Sequence, residues 1–258
     1  MSPIYPAQEA ADLLMRSRID GHPLAALPDP LAPDTLAQAY AVQDATLERL
    51  GPSGGWKVAA KPDSEPRCAV IPACNFYQSG ALIPVPDAGF DVEVEVAFVF
   101  ARDLVGRDTP YAADEVAEAI GSLHLAIELI SSRFVDRKKL SPFSPIADLQ
   151  SNAGVILGPE MADWRDLPLE ALQLTLDLDR ERIGLPVKNA SFAATLPVLV
   201  WLANHAVARG HGLKRGDAVI TGARIGPVSL GARSRMVASC DGFGDLLAEF
   251  QHLSLIHI

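Results

Sequence analysis

The sequence contains no apolar run that approaches the ~20 residues needed to cross a bilayer, and its first residues do not place a long apolar stretch behind a basic patch. We therefore expect neither a membrane protein nor a secreted one, and place the protein in the cytoplasm. Cysteine is also scarce. The chain has three cysteines, Cys68, Cys74 and Cys240, an odd number, and no two of them have the Cys-x-x-Cys spacing. This pattern is typical of reduced structural thiols rather than of disulfides or a zinc site.

The chain also lacks an excess of positive charge, because 22 Lys and Arg residues stand against 32 Asp and Glu residues and give a net charge of −10. Nucleic acid and anionic membrane surfaces are therefore not expected as partners. No Gly-x-x-x-x-Gly-Lys loop and no His-x-Glu or His-x-x-x-His pattern occurs. The sequence thus gives no support for a phosphate-loop nucleotide enzyme or a histidine-based metal site.

The N-terminal region favours helices, and the remainder favours short strands. Amphipathic patterns predict helices over Gln8–Arg18 and Asp34–Leu50, with Asp34 as the N-cap of the second. Further along, Leu123–Ile130 fits either a strand or the continuation of a helix that starts at Asp114. Many short strands with few helices between them predict a mixed α/β fold, in which N-terminal helices wrap a β-rich core.

The length of 258 residues, of which 49% are apolar, suits one large domain or two small ones. We predict a single domain overall, in which residues 1–55 form an N-terminal helical region packed on a core of residues 56–252. Residues 253–258 are oddly apolar for a free end. We interpret them as a cloning or reading-frame scar and leave them out of the fold prediction.

The segment Asp91–Phe100 is the most informative part of the chain, because it alternates with the period of a strand. One face is wholly apolar, with Val92, Val94, Val96, Phe98 and Phe100. Glu93 and Glu95 share the other face, about 6.5–7 Å apart. Adjacent buried carboxylates repel each other, which favours a hard cation such as Mg²⁺ or Mn²⁺ between them. The alternative is a solvated strand end whose acids face water.

A third carboxylate, Glu128, lies within an apolar segment, where it is costly unless it is paired or bound to a metal. Together with Glu93 and Glu95 it provides three oxygen donors, a suitable number for Mg²⁺. The alternative is a buried ion pair between Glu128 and either Arg133 or Lys57.

Lys57 and two polar loops are further candidates for a site. Lys57 lies between two apolar residues, where its ammonium group can orient a carboxylate or move a proton, although a surface lysine with a buried stem is the alternative. The loops Asp148–Gly154 and Thr221–Ala223 each adjoin a buried strand, and such loops often carry hydrogen-bond donors to a site. Either loop can equally be a simple turn.

Nine short motifs along the chain occur in an order and at separations that are similar to those of a known family. They are Ala39-Tyr40-Ala41-Val42-Gln43, Gly55-Trp56-Lys57-Val58, Glu93-Val94-Glu95, Ile127-Glu128, Ser132-Arg133, Ala147-Asp148, Gly216-Asp217, Thr221-Gly222 and Gly242-Phe243-Gly244. From about Gln38 to Phe250, the chain resembles the 2-keto-4-pentenoate hydratase and 2-oxo-3-hexenedioate decarboxylase group of the fumarylacetoacetate hydrolase superfamily.

The resemblance implies a fold, a cofactor and roles for individual residues. It implies a mixed α/β fold built on a rolled β-sheet, in a homo-oligomer. The implied metal ligands, for Mg²⁺ or Mn²⁺, are Glu93, Glu95 and Glu128. The implied catalytic residues are Lys57 and Asp148, and the implied substrate contacts are Ser151, Arg133 and Thr221.

The implied activity is a metal-dependent lyase that adds water to a 2-hydroxy-2,4-dienoate or 2-oxo-4-enoate in aromatic meta-cleavage catabolism. The alternatives are a decarboxylase of a 2-oxo-3-enedioate on the same metal site, a tautomerase, an acylpyruvate hydrolase, and a non-catalytic protein that binds a 2-oxo acid. The expected partner is a small 2-oxo acid, and association with a paired decarboxylase or hydratase is a further expectation.

Three departures from the family pattern concern the substrate more than the metal. Ala73 stands where the hydratases carry an acidic residue. The loop Leu149–Asn152 replaces their Asn-Ala-Ser, and Ala194–Pro197 replaces their Leu-Gly-His-Pro. The missing acid weakens the argument for hydration.

Overall fold

The computed structural model describes residues 5–60 and 64–252, so residues 253–258, interpreted above as a scar, lie outside the described residues. The helices are α1 (Ala7–Asp20), α2 (Leu36–Leu50), α3 (Ala113–Ala119), α4 (Ser144–Ala147) and α5 (Phe192–Ala208). The strands are β1 (Ser53–Ala59), β2 (Arg67–Pro72), β3 (Phe76–Gln78), β4 (Ala81–Val85), β5 (Asp91–Phe100), β6 (Ile120–Ile130), β7 (Asn152–Met161), β8 (Leu174–Leu178), β9 (Glu181–Arg182), β10 (Ala218–Ile220), β11 (Ile225–Ser229), β12 (Arg235–Cys240) and β13 (Gly244–His252). Short 3₁₀ turns include Ala73–Asn75, Arg137–Lys139 and Leu149–Ser151.

These elements form two sheets, as expected for the mixed α/β fold with a β-rich core. In the larger sheet the strands follow the order β2-β1-β10-β5-β6-β7-β3, and β11 also pairs with β5. The smaller sheet has the order β4-β13-β12-β8-β9. Most pairs of the larger sheet are antiparallel, but β1–β10 and β3–β7 are parallel. None of the helices in the described residues is long and apolar enough to cross a membrane.

The larger sheet is curled, and a single ion pair shows this. Lys57 on β1 and Glu128 on β6 are separated by β10 and β5, and Lys57 is level with His124, four residues before Glu128. In a flat sheet, three spacings between strands and four residues along a strand would separate the two backbones by about 20 Å, which is more than the two side chains can span. Nevertheless, Nζ of Lys57 lies 2.6 Å from Oε1 of Glu128. Both side chains therefore project from the concave face of a rolled sheet.

Strand β5 separates two apolar environments, as its alternation predicted. Its apolar face belongs to the main core, which packs between the two sheets and under the helices. On the concave face, Ala97 belongs to a smaller cluster with Ile71, Ala126, Val155, Ala218 and Ile220. This small cluster closes the concave face beyond Glu95, so the carboxylates lie between an apolar floor and the open end of the roll.

Some element boundaries differ from the sequence predictions. Residues Leu123–Ile130 are a strand, which resolves the ambiguity between strand and helix. The N-cap of α2 is Thr35 rather than Asp34, because the Thr35 hydroxyl accepts a hydrogen bond from the backbone N–H of Gln38. Strand β7 includes Pro159, which cannot donate a ladder hydrogen bond, and a shift in the register between β7 and β6 lies close to this proline.

The division into residues 1–55 and 56–252 stays a prediction. Helices α1 and α2 pack against each other and are tied by the Arg49–Asp12 ion pair. Buried Ala39 and Val42 of α2 join the main core.

Close contact between β1 and β10 positions Lys57 and gives a first prediction. Gly55 pairs with Ala218, and a Cβ at Gly55 would lie 2.0 Å from the Ala218 carbonyl oxygen. Gly55→Ala should therefore lower the free energy of unfolding by about 2–3 kcal/mol, because the strands must separate. Urea denaturation measures this, with Gly106→Ala as the control, since a Cβ there meets nothing within 4 Å. Equal midpoints for the two variants would contradict the prediction.

Candidate metal centre

The three predicted metal ligands lie together on the concave face of the sheet. One carboxylate oxygen from each of Glu93, Glu95 and Glu128 lies within 4.8 Å of the other two. Strand pairing causes this, because Glu93 stands directly opposite Glu128, and Glu95 follows two residues later on the same face. Glu128 is 0% exposed and Glu95 is 1% exposed, whereas Glu93 is half-buried. The alternative of a solvated strand end is therefore wrong for Glu95.

Burial and mutual repulsion make this cluster electrostatically unfavourable for three negative charges. Burial, and then the charge of Glu128, raise the pKa of Glu95 to about 8. The same two causes raise the pKa of Glu93. A cation placed among the three carboxylates would remove the repulsion, and carboxylate oxygens are the donors that hard divalent ions prefer. The donor set therefore fits Mg²⁺ or Mn²⁺.

Lys57 and Asn152 both donate hydrogen bonds to Glu128. Nζ of Lys57 lies 2.6 Å and 2.8 Å from the two oxygens of Glu128. Nδ2 of Asn152 lies 2.8 Å from Oε1 of Glu128. The buried ion pair expected for Glu128 thus exists with Lys57, while Arg133 pairs elsewhere, and it coexists with the carboxylate cluster.

Glu95 is bound by a backbone N–H that an interruption in the sheet makes available. Strand β10 ends at Ile220 and β11 begins at Ile225, although both pair with β5. Between them the chain leaves the ladder, and the N–H of Gly222 donates to Oε2 of Glu95 at 2.7 Å. Thr221, a predicted substrate contact, precedes this residue and is half-buried. Its hydroxyl makes no hydrogen bond to any described residue.

Asp148 and Arg133 form a buried pair beside the cluster. The Nε of Arg133 donates to Oδ1 of Asp148, and the backbone N–H of Arg133 donates to Oδ2. The same guanidinium donates to the carbonyl oxygens of Asp148 and Asn152 at 2.8 Å and 3.1 Å. These contacts fix the loop that carries Asn152. The predicted catalytic role of Asp148 and substrate contact of Arg133 stay predictions.

The loop that follows Asp148 has a rare backbone conformation. Leu149, Gln150 and Ser151 have φ angles of 49°, 51° and 63°, and none of them is glycine. Left-handed backbone costs roughly 1–2 kcal/mol for each such residue, and strain of this kind clusters at functional sites. The turn directs the Gln150 carbonyl oxygen towards Nζ of Lys57 at 3.4 Å. Among the described residues the buried hydroxyl of Ser151 has no partner.

A cleft of about 1010 Å³ lies at the ends of the strands that carry the cluster, although Glu93, Glu95 and Glu128 are not part of its lining. Its lining includes Asp91 and Ile130, which lie two residues from Glu93 and Glu128 on the same strands. Side chains two apart on a strand share a face, so Asp91 and Ile130 lie on the face that carries Glu93 and Glu128. Arg137 also lines it, and its charge counteracts the raised pKa of Glu93. The volume suits a small-molecule site.

Sequence reasoning missed three contributors to this site. Asn152, Arg137 and the buried Arg224 were not predicted individually, although Asn152 lies within the candidate loop Asp148–Gly154 and Arg224 directly follows the Thr221–Ala223 loop. Another pattern in the sequence does not mark a site. Gly51–Gly55 matches the Gly-x-Ser-x-Gly pattern of serine hydrolases. It leads from α2 into β1, whereas the hydrolase elbow joins a strand to a helix. This segment therefore does not form a nucleophile elbow.

Comparison with known proteins gives consistent results. A family model described as Fumarylacetoacetate (FAA) hydrolase C-terminal matches residues 39–251. A 2-keto-4-pentenoate hydratase of Burkholderia vietnamiensis is 29% identical over 253 residues, which are 92% of this chain and 94% of the relative. A 4-oxalocrotonate decarboxylase of Pseudomonas putida is 27% identical over 175 residues, which are 64% of this chain and 65% of that protein.

A solved structure shares the fold. The 4-oxalocrotonate decarboxylase from Pseudomonas putida G7, complexed with magnesium and adipate, superposes with a TM-score of 0.78. The match covers 95% of this chain and 97% of that chain, at 21% identity. It confirms the predicted fold class, a rolled-sheet α/β fold of the fumarylacetoacetate hydrolase type.

The raised pKa of Glu95 generates a second prediction, for protein stripped of divalent ions. An unfolded chain releases the Glu95 proton near 4.5, but the folded chain keeps it until about 8. The folded state therefore binds more protons between these values, so stability should fall as the pH rises from about 5 to 8. Glu95→Gln should reduce this slope and be more stable than the parent at pH 8. Thermal denaturation in EDTA measures both.

The control for this experiment is Glu170→Gln, an exposed residue outside the cluster. It should keep the parent slope. A Glu95→Gln variant with the same slope as the parent would contradict the prediction.

Proposed function

The chain belongs to the fumarylacetoacetate hydrolase family, and from this premise we propose that it is a divalent-metal-dependent lyase that hydrates a 2-hydroxy-2,4-dienoate or its 2-oxo-4-enoate form. The observation that carries the proposal is the convergence of Glu93, Glu95 and Glu128 on one point, with Lys57 in contact. The match to a 2-keto-4-pentenoate hydratase over nearly its whole length supports the reaction class. The proposed setting is aromatic meta-cleavage catabolism.

Glu93, Glu95 and Glu128 would hold the metal, Mg²⁺ or Mn²⁺. When bound, such an ion supplies Lewis-acid stabilisation of negative charge on an oxygen of the substrate. The protein's part is to hold three carboxylates at one point, through the pairing of β5 with β6, and to exclude bulk water. Burial of Glu95 and Glu128 and the apolar floor beyond them exclude the water.

Lys57 is the proposed proton-transfer residue. Its Nζ is held by Glu128 and by the Gln150 carbonyl oxygen, so the ammonium group is fixed in direction rather than free in solvent. A substrate bound at the cluster would lie beside Nζ, where a proton can pass to or from carbon during tautomerisation. Asp148 is proposed to assist through water.

Residues of the two loops are the proposed substrate contacts. The buried Ser151 hydroxyl has no partner among the described residues and is therefore free to bind an oxygen of the substrate. Thr221 lies beside Gly222, which binds Glu95. Arg133 would act mainly by holding the loop through Asp148.

A second candidate, decarboxylation of a 2-oxo-3-enedioate, uses the same site. Two observations favour this reaction. Ala73, in an exposed 3₁₀ turn after β2, replaces the acid of the hydratases. A 4-oxalocrotonate decarboxylase also matches the chain in sequence. Loss of CO₂ needs the same stabilised enolate as hydration does, so a metal ion held by the three glutamates would serve either reaction.

The remaining proposals concern assembly and location. A small 2-oxo acid is the proposed substrate class. We propose a homo-oligomer in the cytoplasm, and association with a paired decarboxylase or hydratase.

A third prediction tests the reaction. With Mg²⁺, the protein should consume 2-hydroxypenta-2,4-dienoate, seen as loss of the dienoate absorbance, and EDTA should abolish the reaction. Release of CO₂ from 2-oxohex-3-enedioate would instead identify the decarboxylase. Metal-dependent binding of either compound without turnover would contradict an enzyme and indicate a binding protein.

A fourth prediction separates the ligands from the lysine. Glu128→Gln should abolish stoichiometric Mg²⁺ binding, because it removes a ligand charge, and should lower kcat/KM at least ~10³-fold. Lys57→Met should keep Mg²⁺ binding but lower kcat about 10²–10⁴-fold, the usual contribution of a positioned acid or base. Calorimetry and steady-state kinetics measure the two effects.

Lys139→Met serves as the control, because Lys139 is exposed. It should leave both quantities unchanged. Retained activity in Lys57→Met would remove the lysine from the mechanism while leaving the metal site intact.

A further inference from the structure

Arg224 is a buried cation with more than half of its hydrogen-bonding capacity unused. The residue is 3% exposed. Within the described residues its Nε and Nη2 have no hydrogen-bond partner, and its Nη1 makes one long contact, of 3.5 Å, to the Lys188 carbonyl oxygen. Buried guanidinium groups are normally paired, because an unsatisfied charged donor is expensive. The two free atoms therefore indicate a ligand.

Strand register places Arg224 beside the carboxylate cluster. Ile225 pairs with Val94, and the backbone N–H of Arg224 donates to the Val94 carbonyl oxygen at 2.7 Å. Arg224 therefore lies directly before β11, next to the part of β5 that carries the glutamates, and a Cβ at Gly226, two residues later, would lie 3.3 Å from Cγ of Glu93. Burial lowers the pKa of the Arg224 guanidinium, and the charge of Glu95 counteracts this. No carboxylate of the described residues forms an ion pair with Arg224.

The free atoms have a geometry that suits one class of ligand. The Nε–H and one N–H of Nη2 lie side by side on the same edge of the planar guanidinium group. Two parallel donors of this kind match the two oxygens of a carboxylate. The Lys57 ammonium group, in contrast, already donates hydrogen bonds to both carboxylate oxygens of Glu128 and to the Gln150 carbonyl oxygen.

The charges of the site agree with this assignment. With a divalent cation bound, the three carboxylates, Lys57 and Arg224 would together leave one positive charge at the site. An anionic ligand would neutralise it, whereas a neutral ligand would leave the guanidinium uncompensated in a dry environment.

We infer that Arg224 is the carboxylate-binding residue of this site, and that Nε and Nη2 receive a carboxylate group of the 2-oxo acid. This inference rests on the proposed function, because it takes the metal cluster to be the substrate site. It identifies Arg224 as the residue that distinguishes an acid from a neutral compound of the same shape. If Arg224 were purely structural, its charge would only offset part of the negative charge of the three glutamates, and replacing it would not change the preference of the site for one ligand over another.

The test compares pyruvate with its neutral analogue pyruvamide, titrated by calorimetry into the full-length protein saturated with Mg²⁺. The parent should bind pyruvate at least tenfold more tightly than pyruvamide. Arg224→Gln should weaken pyruvate binding about 10- to 100-fold, the range for a hydrogen-bonded charged group, and should change pyruvamide binding less than threefold. Arg224→Lys, which keeps the charge but loses the parallel donors, should fall between the two. The exposed Arg215→Gln is the control and should match the parent.

Affinity for Mg²⁺ alone separates this inference from the proposed function. Arg224→Gln should bind Mg²⁺ as tightly as the parent or more tightly, because a cation beside Glu95 has been removed. Unchanged pyruvate affinity in Arg224→Gln, equal losses for both ligands, or loss of Mg²⁺ binding in this variant alone would overturn the inference. Failure of the parent itself to bind Mg²⁺ would overturn the proposed function instead.

Discussion

The structure depends on one electrostatic constraint, the convergence of three carboxylates, two of them fully buried, at one point of a curled sheet. Glu95 and Glu128 are almost completely removed from solvent, and direct strand pairing brings Glu93 opposite Glu128. A cluster of carboxylates removed from solvent is stable only if positive charge or hydrogen-bond donors compensate its negative charge. Lys57, Asn152 and the N–H of Gly222 supply part of the compensation, and a divalent cation would supply the rest.

Local irregularities of the fold can be understood from this constraint. The interruption between β10 and β11 directs a backbone N–H to Glu95. The left-handed residues Leu149–Ser151 direct a carbonyl oxygen to Lys57 and lead into Asn152. The Arg133–Asp148 pair holds that strained turn in place. The interruption and the left-handed turn depart from regular backbone pairing or torsion angles, and both end in a contact within the site, as expected where stability is given up for function.

The sequence predicts the parts of this site that follow from periodicity. Alternation along β5 was sufficient to place Glu93 and Glu95 on one face, and the cost of a buried charge was sufficient to single out Glu128. The roll of the sheet came only from the resemblance to a family, because curl depends on contacts between distant strands. The contact between Lys57 and Glu128 crosses two intervening strands and has no local signal. The same is true of Arg224, whose importance lies in missing partners, and of Leu149–Ser151, since nothing in these residue types requires left-handed backbone.

The central claim is that Glu93, Glu95 and Glu128 share one divalent ion. A crystal structure of the protein grown with Mn²⁺, with an anomalous difference map at the manganese absorption edge, tests it most directly. We predict a single strong peak on the concave face, within about 2.0–2.6 Å of one oxygen from each glutamate. A map without a peak at this position, or with manganese bound only by surface carboxylates elsewhere, would contradict it.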